Sequence, residues 1–404
     1  MKLLLVAALF GLAVRVSPQC ISQFDDMIPP QFADLSYILP FSLRLFKELV
    51  PHSGNFLISP YSIWNALVMA YLGTNGETKT QMEKVLQLNN KVETLALYRS
   101  LSQHIKHHGS YDSPTNYIFD ITNGVCVHDR NILKDCVARL LTRELQTVNF
   151  QKSEGSAVTI NQFINKTTRA HIPHLVYPFD LNQGEMMMIN AVYFRGLWHK
   201  RFAADRTRLE RFFSTQRKQY FVDMMSQEGE FKTGISEELE AQVLEMPFQG
   251  KRASMFVFLP QDQNNGRELE NMLKRMNPGS LLSAMRILDR RDVVINFPKF
   301  KFEKCLGSEL RLALIRMGIR ELFTESADLT TFFPAGGIMV KDDIHRAKFE
   351  ISEDGDDATK TKWSFGPLSV PPAPKPFNCN RPFLFLVMDS YNTNILFMGV
   401  FRHP

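Results

Sequence analysis

The five cysteines are the side chains in this sequence best suited to covalent chemistry. They are Cys20, Cys126, Cys136, Cys305 and Cys379. None is spaced as Cys-x-x-Cys, which argues against a zinc site or a thioredoxin-like redox pair. The odd number allows a disulfide but leaves at least one thiol unpaired. Cys379 lies among apolar residues, which favours a core position over a role as a nucleophile.

The sequence motifs of common enzyme classes are missing. There is no Gly-x-Ser-x-Gly turn, no His-Glu-x-x-His pair and no glycine-rich loop for phosphates or dinucleotides. The formal net charge of +5 over 404 residues is too modest to indicate nucleic acid binding. We therefore expect a protein that is not an enzyme and that uses no metal or cofactor.

The N-terminus has the pattern of a secretory signal peptide. Met1-Lys2 gives a positive start, and an apolar run extends from Leu3 to Val14. A membrane anchor is the alternative, but spanning a bilayer takes about 20 residues. We predict a signal peptide over residues 1–19 and a secreted, extracellular protein. The sequon Asn165-Lys166-Thr167 adds a predicted glycosylation site at Asn165.

Apolar periodicity predicts helices in the first part of the chain and mainly strands later. The clearest predicted helices are Pro40–Leu49, Ser62–Leu72 and Leu133–Arg143, and the clearest strands are Met186–Phe194 and Ser254–Pro260. The lack of a regular strand–helix–strand rhythm predicts an α+β fold rather than a doubly wound sheet. Without a linker or composition break, residues 20–404 are predicted to form one domain.

A polar stretch interrupts the apolar segments near the C-terminus. His345–Ile351 is typical of a strand, and Phe377–Leu386 and Ile395–Val400 are apolar runs. The segment from about residue 353 to 377 is therefore predicted to be an exposed loop. Such loops usually carry function, because the scaffold does not need them for packing.

A basic run lies between Arg195 and Lys218. Its members include Lys200, Arg201, Arg206, Arg208 and Arg211. Asp205 and Glu210 offset this charge only partly. The run indicates either an ordinary solvated surface or a site for a heparin-like glycosaminoglycan.

Several motifs in a fixed order give the sequence a family resemblance. They are Asn55–Ile63, Leu72–Thr78, Ile189–Trp198, Phe297–Phe300, Gly318-Ile319, Ala327–Leu329, Asn380–Phe383 and Leu396–Gly399. From about residue 36 to the C-terminus, the chain resembles the serpin superfamily. Extracellular arthropod serpins look most similar, mainly because of the segment Cys379–Phe383.

The resemblance implies three β-sheets, about nine helices and a reactive-centre loop that inserts into the main sheet as an extra strand. A serine endopeptidase that attacks the loop forms an acyl-enzyme. Insertion then drags the attached protease across the molecule and distorts its active site before water releases it. We expect a monomer whose partner is such a protease.

The resemblance also implies roles for individual residues. Ser59, Ser62, Asn190 and His345 match a polar cluster below the opening of the main sheet, and Trp198, Lys299 and Glu353 match positions where insertion begins. Polar groups that exchange hydrogen-bond partners suit strands that must part and close again. Taken alone, His345 or Trp198 is typical of an ordinary core.

The cleaved bond follows from the family spacing after Gly355. It falls at Ser369-Val370, with Leu368-Ser369 as the next candidate. Ser369 suits an elastase-like protease with a small specificity pocket, and Leu368 suits a chymotrypsin-like one.

The segment after Gly355, the hinge, departs from the family pattern. Inhibitory serpins have small residues there, whereas this chain has Asp356, Asp357, Ala358, Lys360 and Lys362. By family register, Asp356, Lys360 and Lys362 would face the core after insertion. An unpaired buried charge costs at least several kcal/mol. Two functions therefore stay open, which are suicide-substrate inhibition and a non-inhibitory role as a binding protein, carrier or protease substrate.

Overall fold

The computed structural model describes residues 20–21, 38–108, 117–181, 184–215, 217–261, 266–354 and 375–404. Within these ranges the chain forms helices and strands in the mixed α+β order that its periodicity predicts. The helices are α1 (Leu39–Leu49), α2 (Pro60–Gly73), α3 (Gly76–Leu86), α4 (Lys91–His108), α5 (Asp135–Leu140), α6 (Ser153–Thr167), α7 (Glu268–Arg275), α8 (Pro278–Arg286) and α9 (Ser308–Met317).

Strands dominate the second half of the described chain. They are β1 (Phe56–Ile58), β2 (Tyr117–His128), β3 (Leu145–Val148), β4 (Met186–Gly196), β5 (Arg208–Thr215), β6 (Lys218–Ser236), β7 (Ala241–Pro247), β8 (Ala253–Pro260), β9 (Asp289–Pro298), β10 (Phe300–Leu306), β11 (Val340–Ile351), β12 (Lys375–Asn378), β13 (Phe383–Asp389) and β14 (Ile395–Phe401).

Five strands form the first sheet, in the order β10-β11-β4-β2-β3. Strand β11 pairs in parallel with β4 and antiparallel with β10. Strand β4 is buried along almost its whole length. A strand that is covered on both faces is typically a continuous apolar run, as Met186–Phe194 is.

The other nine strands form one hydrogen-bonded network. Its members are joined by β6, which is 19 residues long. Strand β6 pairs with β5 at its start, with β9 along its middle and with β7 at its end. Two of the three predicted sheets are thus continuous with each other through this strand.

Helix α2 lies at the centre of the core, and all its residues are buried. It is apolar on every side, as expected for a helix surrounded by other elements. Gly73 at its end allows a close approach, because an added Cβ would lie 2.5 Å from the Phe332 ring. At the start of α2, the Ser59 side chain accepts a hydrogen bond from the Ser62 amide.

The structure pairs Cys20 with Cys136 in a disulfide. Cys126, Cys305 and Cys379 are free thiols, of which Cys305 is exposed. Burial raises the pKa of the Cys379 thiol well above its ordinary value, so this group stays protonated. The core position predicted for Cys379 is confirmed.

The predicted signal peptide and residues 355–374 of the predicted loop lie outside the described residues. At its far end the predicted loop is too long, because residues 375–377 belong to β12. This strand pairs in parallel with β9 at the edge of the larger network. The sequence hides the strand because Pro376 is unusual in a sheet, where proline is tolerated mainly at edges.

Candidate functional site

The candidate site centres on the parallel pairing of β4 with β11, which we call the seam. The register runs from Val340 beside Met186 to Glu350 beside Arg195. Because both strands run in the same direction, a segment that turned back after β11 would be antiparallel to both. Such a segment would replace one parallel ladder by two antiparallel ones, which are slightly more stable per residue. The seam is therefore suited to receive an additional strand.

A buried polar cluster crosses the seam, and it contains the four residues that the motifs single out. Asn190 and His345 are register partners across the two strands. Asn190 Oδ1 accepts a hydrogen bond from Ser62 Oγ at 2.8 Å and another from His345 Nδ1. Ser59 Oγ donates to the Leu396 carbonyl at 2.6 Å. The cluster thus links both strands of the seam to the start of α2.

His345 is neutral in this environment. Its side chain is completely buried, and desolvation lowers its pKa from 6.5 to about 3. Its Nε2 accepts the Ser59 amide hydrogen at 3.4 Å, so the ring proton is on Nδ1 and is donated to Asn190. Protonation would turn Nε2 into a second donor facing the Ser59 amide, and the charge would lie in an apolar interior.

Trp198 anchors the end of β11 at the top of the seam. Its indole Nε1 donates to the Ser352 carbonyl at 2.8 Å, and its amide donates to the Asp354 carbonyl at 2.9 Å. The indole is 1% exposed and is stacked on Phe248 with ring centroids 4.7 Å apart. Trp198 therefore holds the backbone at the point where the described chain leaves the sheet.

Two ion pairs hold the same point. Lys299 Nζ lies 2.9 Å from Glu353 Oε2, and Arg195 Nη2 lies 2.6 Å from Asp354 Oδ2. Burial would raise the pKa of Glu353, but hydrogen bonds from Lys299 and Thr207 outweigh it and lower that pKa below 4.5. The hydrogen bond from Arg195 likewise lowers the pKa of Asp354. Both carboxylates are ionised at neutral pH and fix residues 352–354, which we call the loop base.

The segment after α6 crosses the seam on the opposite face from α2. Asp120, Tyr193 and Lys348 form one row across β2, β4 and β11. His171 Nδ1 lies 3.1 Å from Asp120 Oδ2, and the His171 carbonyl accepts from Lys348 Nζ at 2.9 Å. Arg169 adds two hydrogen bonds to Asp120. These residues connect three strands, of which β4 and β11 must separate if a strand is inserted between them. We call the group the clasp, and its members are Asp120, Arg169, His171, Tyr193 and Lys348.

The structure brings together all predicted residues that lie in the described ranges near the seam. These are Ser59, Ser62, Asn190 and His345 in the polar cluster, and Trp198, Lys299 and Glu353 at the loop base. The other hinge residues, which are Gly355, Asp356, Asp357, Ala358, Lys360 and Lys362, lie outside the described residues, as do Leu368, Ser369 and Val370.

Sequence reasoning missed Asn123, which accepts a hydrogen bond from Asn190 Nδ2 inside the cluster. It also gave no role to Asp354 or to the clasp. A signal for Asn123 was present, because it is a polar residue in the middle of the mostly apolar segment Tyr117–Val127. The clasp has no such signal, since its members are far apart in the chain and meet only through the sheet register.

The basic run does not form one surface. Lys200 Nζ donates to the Glu228 carbonyl and lies 5.8 Å from the Phe231 ring. Arg208 and Arg211 are three residues apart on β5, so they lie on opposite faces. Arg201 and Arg206 are exposed. Asn165 is exposed near the end of α6.

Comparison with known proteins identifies the family. The family model "Serpin (serine protease inhibitor)" matches residues 37–404. The chain is 30% identical to the leukocyte elastase inhibitor of Homo sapiens, over 90% of this chain and 97% of that protein. It is also 30% identical to Ipis-1 of Ixodes persulcatus, over 91% and 98% of the two chains. The structure of native protease nexin-1 with heparin covers 91% of this chain and 98% of its own, with a TM-score of 0.80 at 26% identity.

These comparisons confirm the predicted fold and the resemblance to arthropod serpins. They contradict the prediction of a secreted, extracellular protein. The relatives include leukocyte elastase inhibitors of pig, cattle and human, which are intracellular serpins. In the part of the chain that the structure describes, no helix has the length and apolar character to cross a membrane.

The plain prediction that the protein is not an enzyme also needs correction. The family consists of protease inhibitors that act as suicide substrates, so its members enter the catalytic cycle of an enzyme as a consumed reactant. The family match over residues 37–404, together with the seam, the polar cluster and the loop base, leads to one conclusion: this chain belongs to the serpin family.

Proposed function

We propose that this protein is a suicide-substrate inhibitor of an elastase-like or chymotrypsin-like serine endopeptidase. The protease cleaves at Ser369-Val370, or at Leu368-Ser369, and becomes attached as an acyl-enzyme. The hinge then enters the seam between β4 and β11. The observation that carries the proposal is the parallel register of these two strands, with the loop base held directly above it by Trp198 and Glu353.

The relatives support the class of target. The leukocyte elastase inhibitors are named for an elastase, and Ser369 suits the small specificity pocket of such a protease. Leu368 would redirect the protein to a chymotrypsin-like enzyme if cleavage falls one bond earlier. The residue that begins the C-terminal fragment after cleavage distinguishes the two registers.

The charged hinge limits how often trapping succeeds. Insertion competes with hydrolysis of the acyl-enzyme, and each 1.4 kcal/mol added to the insertion barrier slows it about tenfold. Lysine side chains can extend their ammonium groups toward solvent, which lowers the cost. Because the seam is otherwise built for insertion, we infer a mixed outcome in which some protease is trapped and the rest is released with cleaved protein.

Incubation with elastase, chymotrypsin and trypsin, followed by denaturing gels, tests the proposal. We expect a boiling-stable complex with one of the first two, together with cleaved protein. The triple variant Asp356→Ala, Lys360→Ala, Lys362→Ala should increase the ratio of trapped to released protease at least tenfold, because the inserted face loses its charges. Val370→Pro is the matched control that blocks cleavage at the predicted bond.

A non-inhibitory role is the alternative that the same experiment separates. Cleavage at residues 368–370 without any complex, in the natural protein and in the triple variant alike, would favour a substrate or carrier function. In that case the melting temperature of the cleaved protein should stay close to that of the intact one. A complex that disappears with Val370→Pro would support inhibition.

A heparin-like glycosaminoglycan remains a proposed additional partner. It is supported by the similar structure of protease nexin-1 with heparin. The geometry of β5 limits its strength, since Arg208 and Arg211 lie on opposite faces.

A further inference from the structure

A cavity of about 730 Å³ lies beside the loop base, between β6, β7, β8 and the segment that follows β4. Its apolar wall is formed by Trp198, Phe231, Met246 and Pro247. Cavities of about 300–1,000 Å³ with mainly apolar walls and a few polar groups are typical of small-molecule sites. The size and lining of this cavity therefore suit a small organic ligand.

Gln227 is a polar residue in the wall of this cavity. Its side chain lines the cavity and is 5% exposed. Its Oε1 atom forms no hydrogen bond with the residues that the structure describes. A buried acceptor without a partner typically costs about 1–3 kcal/mol. A ligand that donates a hydrogen bond to Gln227 would remove this cost.

The wall around Gln227 follows from strand geometry. Gln227, Gly229 and Phe231 alternate along β6 and share one face. Lys200 lies directly over Gly229, where an added Cβ would be 1.9 Å from its Nζ. The glycine thus lets a cation lie against the cavity wall, close to the Phe231 ring.

The rim of the cavity carries more positive than negative charge. Its cations are Lys200, Lys232, Lys251 and Arg290, and its carboxylates are Glu230 and Glu245. Both carboxylates are already paired, Glu230 with Arg290 at 2.8 Å and Glu245 with Lys232 at 3.0 Å. Within the described ranges, the Lys251 ammonium has neither an ion pair nor a side-chain hydrogen bond. The rim therefore favours an anion, with Lys251 as its direct partner.

We propose that this cavity binds a small amphipathic acid. Its apolar body lies against Trp198 and Phe231, a hydroxyl or amine group donates to Gln227 Oε1, and its carboxylate or sulfonate pairs with Lys251. This function is additional to the reaction with proteases. Because Trp198 also donates to the Ser352 carbonyl, the ligand stabilises the loop base in the uncut protein.

Titration of the intact protein with 8-anilinonaphthalene-1-sulfonate tests the proposal, because this probe has an aromatic body, one amine and one sulfonate. We expect one binding site per chain by calorimetry and a rise in melting temperature with probe concentration. The uncharged analogue N-phenyl-1-naphthylamine should bind at least tenfold more weakly. A stoichiometry other than one would overturn the proposal.

Two variants locate the site. Lys251→Glu should weaken binding of the probe at least tenfold, whereas Lys166→Glu, a control at an exposed position on α6, should leave it unchanged. Gln227→Leu should also weaken binding but should raise the melting temperature. Leucine has a similar size to glutamine and removes the buried acceptor that has no partner. Weaker binding together with a higher melting temperature would rule out misfolding as the cause of the weaker binding. Unchanged affinity in either cavity variant would contradict the assignment.

Discussion

The imidazole ring of His171 is stacked on the phenol ring of Tyr193, with centroids 3.9 Å and planes 13° apart. Tyr193 belongs to β4, while the His171 carbonyl is bound by Lys348 of β11. The contact therefore connects the two strands of the seam from outside the main core. Any separation of these strands has to break contacts of the clasp or displace the segment that carries His171.

The clasp predicts that His171→Ala lowers the barrier to insertion. The variant loses the stacking contact and the hydrogen bond to Asp120, which together contribute about 1–2 kcal/mol. We expect faster incorporation of a synthetic hinge peptide into the sheet, by about tenfold, and a lower melting temperature of the intact protein. His174→Ala, at an exposed position of the same segment, is the control. Equal incorporation rates in both variants would contradict a role for the clasp.

The polar cluster predicts a loss of stability in acid. The pKa of His345 is about 3 in the folded protein and 6.5 as its ordinary value. The unfolded chain therefore binds the extra proton first, and the free energy of unfolding falls as the pH decreases from about 6.5 toward 3. At pH 5 the loss from this residue is about 2 kcal/mol.

Urea unfolding between pH 7.5 and 5 measures this effect. His345→Gln removes the titrating group and keeps hydrogen-bonding capacity, so its stability should depend less on pH by the same amount. His174→Gln should retain the natural dependence. The same pH dependence in all three proteins would show that other groups cause the loss.

The pair Lys299–Glu353 predicts a specific coupling at the loop base. Lys299 is 45% exposed, so the direct contribution of the pair to stability is small, about 0.5–1 kcal/mol. Glu353→Lys and Lys299→Glu should each accelerate spontaneous loop insertion at elevated temperature, because each places like charges together. The double exchange should restore the natural rate. A double variant as fast as the sum of the single effects would exclude a direct coupling.

Heparin binding is predicted to be weak. The divided basic residues leave no continuous row of cations on β5, so the protein should leave a heparin column only slightly above physiological salt, about 0.15 M. Release already at physiological salt would exclude this partner. Arg201→Ala with Arg206→Ala should shift elution further than Arg211→Ala alone. Retention to much higher salt would indicate a cationic surface that the strand geometry does not account for.

The sequence predicted most of what lies in continuous apolar segments. Helix α2 extends over Pro60–Gly73, close to the predicted Ser62–Leu72, because its burial on every side makes it continuously apolar. Helix α5 is shorter than predicted, Asp135–Leu140, since the apolar spacing continues into a turn. Strand β6 was not predicted, because most of its residues are polar and because Gly229 and Gly234 interrupt its pattern.

The residues of the candidate site also fall into two groups, those inside continuous motifs and those that meet only through contacts between distant segments. Residues inside continuous motifs, such as Ser62 and Asn190, were singled out through the resemblance to the family. Asn123, Asp354 and His171 were not, because their roles depend on hydrogen bonds between segments more than 50 residues apart. The prediction of secretion was wrong for a different reason, since a short apolar N-terminal segment is compatible with more than one cellular location.

The strands that flank residues 355–374 in the sequence belong to different sheets. Strand β11 lies in the five-stranded sheet, whereas β12, β13 and β14 lie in the larger network. Strand β13 is inserted between β8 and β14, and every residue of β13 and β14 is buried. A protease that severs the chain near residue 369 would therefore leave a tail that cannot depart. The nicked molecule would behave as two covalent pieces and one particle, separable by denaturing electrophoresis but not by gel filtration.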